Sequence, residues 1–124
     1  MKLAIVGSRG IASHARVMER LSELRDEDTL VSGGAPGIDT YAAELAGMLG
    51  RRRLVIRPDY GAVNNKKMAP LVRNHSIAMA CDEMLAVWDG WSRGTAFAIA
   101  CAVARGKRVE VVLVNTDAPL AEAK

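Results

Sequence analysis

Five short apolar runs constrain this chain more than anything else in it: Leu3–Val6, Thr29–Ser32, Leu54–Ile56, Met84–Val87 and Val109–Val114. Between them, apolar residues recur at helical spacing, as at Ile38, Tyr41, Ala42, Leu45, Ala46 and Leu49. A run that is apolar without alternation is a strand covered on both faces, the condition of a parallel sheet. Strands that alternate with helices in this way predict a parallel β-sheet with helices on both faces. At 124 residues there is room for one such α/β domain and one core. The pattern places that core at about residues 3–114 and leaves Asn115 to Lys124 as a loose end.

Punctuation sharpens the boundaries. Ser13 is placed to cap a helix whose stripe is Val17, Met18, Leu21 and Leu24, and Gly50 is placed to end the helix that starts at Ile38. Pro58 stops the third strand, and residues 57–67 read as a loop long enough to expect function in it. A helix from about Met68 to Cys81 follows, then another over 95–105 that Gly106 terminates. The stretch Thr95–Ala104 is apolar all the way round, as in a helix buried on every side. So small a domain covers only one of its faces, so a homodimer is expected to cover the other.

Composition excludes several classes. The longest apolar stretch is too short to span a bilayer, and Met1–Gly7 runs straight into a strand without signal-peptide architecture. A cytoplasmic location and no membrane partner are the expectation. Net charge is +3 and the pI is near 9.1, which permits a polyanion without requiring one. The basic residues cluster at Arg51–Arg53, Lys66-Lys67 and Arg105 to Arg108, where solvated helix ends would also place them. Cys81 and Cys101 form no CxxC, and His14 and His75 have no ligand neighbours, so no metal or cofactor is expected.

Chemistry is concentrated where strands hand over to helices. In a parallel sheet these turns lie at the carboxyl edge, where ligands bind. Gly7-Ser8-Arg9-Gly10 supplies a hydroxyl and a guanidinium. In Gly33-Gly34-Ala35-Pro36-Gly37-Ile38-Asp39, the glycines admit a close approach, and Asp39 falls in a first helical turn. Its carboxylate either complements the helix dipole, holds a ribose hydroxyl or fixes the neighbouring loop. Arg73-Asn74 follows the long loop. Arg73 can bind phosphate, or pair with Asp39, Glu44 or Asp82. Trp88-Asp89-Gly90-Trp91-Ser92-Arg93-Gly94-Thr95 holds two of the five aromatic residues beside a helix start. Trp91 suits stacking on a base, while Ser92, Arg93, Gly94 and Thr95 offer donors to an anion.

Together these segments resemble the SLOG superfamily of Rossmann-like domains, and within it the cpYpsA-related branch. The resemblance rests on Gly7-Ser8-Arg9, Gly33-Gly34-Ala35, Gly37-Ile38-Asp39, Arg73-Asn74, Trp88-Asp89-Gly90, Ser92 to Thr95 and Gly106-Lys107. It implies a dimeric sensor or enzyme for a nucleotide or nucleotide-derived ligand. Ser32–Thr40 is also similar to the glycine-rich segment of the DNA-processing protein A family, which implies single-stranded DNA as a partner. The Arg93-Gly94-Thr95 turn is similar to the phosphate loop of the LOG phosphoribohydrolases, where an arginine and a glutamate cleave an N-glycosidic bond. Arg73 matches that arginine, but the glutamate position is Ala98. Glu44 and Asp89 are the remaining candidate carboxylates. The leading reading is a site for a nucleotide or phosphoribosyl ligand.

Overall fold

The computed structural model describes residues 1–114, so the expected loose end lies outside the described residues. Strands β1 (Lys2–Gly7), β2 (Thr29–Ser32), β3 (Arg52–Val55), β4 (Glu83–Trp88) and β5 (Arg108–Leu113) form one sheet. Its order is β3-β2-β1-β4-β5, and every pairing is parallel. Helices α1 (Ala15–Glu23), α2 (Ile38–Met48), α3 (Ala69–Ala80) and α4 (Arg93–Ala104) connect them.

The central strands show why the apolar runs lack alternation. Leu3 and Ile5 of β1 and Leu85 and Val87 of β4 pack with Val17 and Leu21 of α1 and Ala42 and Leu45 of α2. Ala4, Val6, Met84 and Ala86 face the other way, onto Ile77 and Ala78 of α3 and Ala98 and Ala102 of α4. Both faces of the sheet are therefore cores, as the runs predict. The chain winds outward from β1 to β3, then crosses to β4 on the other side. Its direction reverses between β1 and β4, and that switch point is where a crevice opens beyond the strand ends.

Several boundaries differ from expectation for local reasons. His14, not Ser13, caps α1, because its Nδ1 accepts the Arg16 amide at 3.1 Å. The third strand starts at Arg52 and ends at Val55, since an edge strand carries charged residues that a central strand would not. Residues 57–67 include two single 3-10 turns, Tyr60–Ala62 and the start of Lys66–Met68, capped by Asp59 and Asn65. Helix α4 begins two residues early, with Ser92 before it, which places Arg93, Gly94 and Thr95 in its first turn. Gly50 and Gly106 end α2 and α4 as expected, at φ of +69° and +71°. In each case the next amide reaches back, Arg51 to Ala46 and Lys107 to Ala102.

Helix α4 is not buried on every side within the chain. Thr95, Ala98 and Ala102 face inward, whereas Phe97 is 38% and Val103 58% exposed. Among the described residues no helix is long and apolar enough to cross a membrane.

Candidate functional site

Four loops meet at the carboxyl edge, and hydrogen bonds lock those after β1, β2 and β4 together, in part through α3. The Ser8 amide donates to the Val87 carbonyl, and the Ser8 hydroxyl accepts the Asp89 amide at 3.1 Å. Ser8 is buried and ties the end of β1 to the end of β4. Asp89 Oδ1 accepts the amides of Trp91 and Ser92, both at 2.8 Å, and Trp88 Nε1 donates to the Ser92 carbonyl. Burial pushes the Asp89 carboxyl up, but those amides outweigh it and hold its pKa below the usual value. The carboxylate of Asp89 is thus engaged in shaping the turn before α4.

Arg73 is the hub of the crevice. It is buried in the first half of α3. Its Nε donates to Asn74 Oδ1 at 2.7 Å, and Nη1 donates to the Gly33 carbonyl. Asn74 Nδ2 donates in turn to the Gly94 carbonyl at 2.9 Å. One side chain and its neighbour so link the β2–α2 turn, α3 and the start of α4. A guanidinium has five N–H donors, and these bonds leave others free. Burial lowers the Arg73 pKa, and the nearby Asp39 charge opposes that shift.

Asp39 sits opposite. Its side chain accepts the Ala35 amide through Oδ2 at 3.3 Å, and its main-chain carbonyl accepts from Ser32 Oγ. Buried Oδ1 has no hydrogen-bond partner. Desolvation raises the carboxyl pKa to about 6, against the pull of the Ala35 amide and Arg73. Asp39 therefore fixes its loop and keeps one acceptor unspent.

Two cavities open here. The smaller, about 70 Å³, is lined by Gly7, Arg9, Asp39, Arg73, Asn74, Ser92, Gly94 and Thr95, with Val6, Ala35 and Pro70. The larger, about 400 Å³, is lined by Arg9, Gly34, Ala35, Pro36, Arg57, Pro58, Tyr60 and Arg73. Arg9, Ala35 and Arg73 belong to both. Ser8, Gly33, Gly37, Trp91 and Arg93, also candidates from sequence, border neither cavity. Trp91 and Arg93 are exposed beside the α4 turn.

The glycines serve other parts of the protein. A Cβ on Gly7 would collide with Ile38, and one on Gly37 would stand 2.6 Å from the Arg9 carbonyl oxygen. These residues let the first loop close on the start of α2. Of the candidate carboxylates, Glu44 lies exposed on α2 away from both cavities. Ala98, at the glutamate position of the phosphoribohydrolase pattern, is fully buried against Val6 and Ile77. Arg57 and Tyr60 were not singled out from sequence. The length of their loop was the available signal.

No family model matches the chain, and no curated protein matches it. Solved structures do. DNA processing protein A (DprA) from Streptococcus pneumoniae aligns with a TM-score of 0.69 at 19% identity, covering 98% of this chain and 53% of that one. The chain thus spans about half the length of that protein. DNA processing protein A from Helicobacter pylori, described by its single-stranded DNA binding mode, gives 0.67 at 21%, covering 94% and 67%. The protein TM1055 gives 0.65 at 20%, covering 87% and 71%. At these identities the likeness is one of fold: a single α/β, Rossmann-like domain with an all-parallel five-stranded sheet.

Proposed function

We propose that the crevice binds a nucleotide or nucleotide-derived phosphoribosyl ligand, in the manner implied by the resemblance to the cpYpsA-related branch. The carrying observation is that Arg73, with donors to spare, and Asp39, whose buried carboxylate has an unpartnered oxygen, line one small cavity at the first turn of α4. A phosphate there meets Arg73, Arg9 and the helix dipole, and the Asp39 carboxyl group stands on the same wall to orient the sugar. Trp91, exposed in the turn before α4, is available to a base. The reading is of binding rather than turnover. The two carboxylates proposed for glycosidic cleavage are remote (Glu44) or committed to backbone amides (Asp89).

The second reading, a single-stranded DNA-binding module, is supported by the likeness to the two DNA processing proteins. Lys66-Lys67 lies on the loop after β3, but against this reading the other two basic clusters, Arg51–Arg53 and Lys107-Arg108, stand where β3 and β5 begin, at the edge opposite the cavities. A strand threaded through the crevice would not meet them. The test is a titration with a mononucleotide and with a roughly 20-nucleotide single strand, at low and physiological salt. A pocket for one nucleotide predicts a shallow salt dependence and no gain with length. A strand-binding surface predicts a slope of about −0.7 per phosphate contacted. Tight, length-dependent, salt-sensitive strand binding without mononucleotide binding selects the second reading. Mass spectrometry of co-purifying small molecules would name the ligand.

The proposed assembly is a homodimer. Phe97 and Val103 on α4, with Val111 and Leu113 on the neighbouring edge strand β5, leave an exposed apolar surface that a second copy would cover.

A further inference from the structure

We propose that Arg57 and Tyr60, on the loop after β3, form a second anion subsite in the larger cavity. The ligand of this crevice would then be a nucleotide carrying two separate phosphate groups rather than one. The inference rests on the nucleotide reading above and extends it.

The first argument is charge. Arg9, Arg57 and Arg73 line the larger cavity with no carboxylate among its lining residues. Among the described residues none of the three has an ion-pair partner within 4 Å, whereas Arg16, Arg20, Arg25 and Arg51 all do. Asp59, the carboxylate nearest in sequence, accepts the Gly61 amide instead. Three like charges on one wall repel, and a bound anion relieves that repulsion. One phosphate in the smaller cavity answers Arg73 and Arg9 but leaves Arg57 uncompensated.

The second argument is size and construction. At about 400 Å³ the larger cavity is in the range that holds small organic ligands, while the 70 Å³ cavity suits a single phosphate-sized group. The two are joined through Arg9 and Arg73. Gly34, at φ +71°, leaves the space that Arg57 enters: Nη1 lies 2.9 Å from where a Cβ would stand. Tyr60 is held by its own loop, where Lys66 Nζ donates to its carbonyl. Tyr60, half-exposed, offers its ring as an apolar wall of the same cavity.

The test uses the full chain and its Arg57→Ala variant, with thermal unfolding to show that the fold is intact. The probes are inorganic sulfate, adenosine 5′-monophosphate and adenosine 3′,5′-bisphosphate, titrated by calorimetry. In the wild type the bisphosphate should bind at least about tenfold tighter than the monophosphate, as a charged hydrogen bond is worth that much. Arg57→Ala should remove that advantage, costing the bisphosphate about tenfold more than the monophosphate. Arg57→Lys should restore part of it. Equal affinity of the two nucleotides, or equal loss for all probes in Arg57→Ala, overturns the subsite while leaving the nucleotide reading standing. A wild type that binds none of the probes overturns the nucleotide reading and this inference with it.

Discussion

Arg73 and Asp39 close on Gly33 from two sides. Arg73 Nη1 lies 2.8 Å, and Asp39 Oδ2 2.9 Å, from the point where a Cβ on that glycine would stand. Both side chains are buried and hydrogen-bonded, so neither swings aside freely. Gly33→Ala should therefore cost about 1–3 kcal/mol, the usual range for overpacking. Urea denaturation measures it, and a variant as stable as the wild type would show that the pair yields.

Arg73 itself should be the most costly polar residue to remove from the crevice. Arg73→Ala strands the Gly33 carbonyl and Asn74 Oδ1, and a destabilisation of about 1–3 kcal/mol is expected. Arg73→Lys keeps the charge but lacks the fork that reaches both acceptors, so it should recover only part of the loss. Exposed Arg57→Ala, by contrast, should stay within about 0.5 kcal/mol of the wild type. Chemical denaturation of the three variants ranks them.

Asp39 makes stability depend on pH in an unusual direction. Its folded pKa of about 6 lies above the ~3.9 of an unfolded aspartate, so between those values the folded state holds the extra proton. Stability from this group is fully present below about pH 4 and is lost as pH rises through about 6, by up to ~3 kcal/mol. Asp28, Asp89 and Glu110 have lowered pKa values, and their contributions fade only as pH falls below about 4. Urea titrations between about pH 4.5 and 7 isolate Asp39. Asp39→Asn should flatten the slope and exceed the wild type in stability at neutral pH.

The same proton should tune anion binding. Sulfate does not titrate in this range, and no histidine lines either cavity among the described residues. Protonating Asp39 removes a negative charge from the wall of the smaller cavity. Sulfate affinity should therefore rise several-fold from pH 7 to 5, and Asp39→Asn should bind tightly at both. Calorimetry showing parallel pH profiles in the two proteins would exclude Asp39 from the anion site.

The exposed face of α4 gives a test of assembly. Phe97→Glu and Val103→Glu place charges on that face without touching the inward residues Ala98 and Ala102. If a second copy covers it, light scattering should give a dimeric mass for the wild type at micromolar concentration and a monomeric mass for both variants. A monomeric wild type would dismiss the proposed dimer.

Sequence alone determined the architecture, because burial on both faces writes a continuous apolar signal into the central strands β1, β2 and β4. Glycine at Gly50 and Gly106 likewise announced helix ends, since only a positive φ lets the following amide reach back. The loops that meet at the carboxyl edge were legible for the same reason: parallel connectivity sends every β-to-α turn there. What each side chain does in those loops was decided only by tertiary contact. Ser8 reads as a hydroxyl at the ligand edge, and only folding brings the Asp89 amide onto it from 81 positions away. For Asp39 the sequence leaves a helix-dipole role, a ribose contact and a loop brace open, and only folding buries it, raises its pKa and leaves Oδ1 unpartnered. Arg57 has no local pattern at all, and gains a place only when folding lays it over Gly34 beside Arg9 and Arg73. Periodicity is a local property of the chain, and so it survives in the sequence. Desolvation and charge proximity depend on residues far apart, and they exist only once the sheet has assembled.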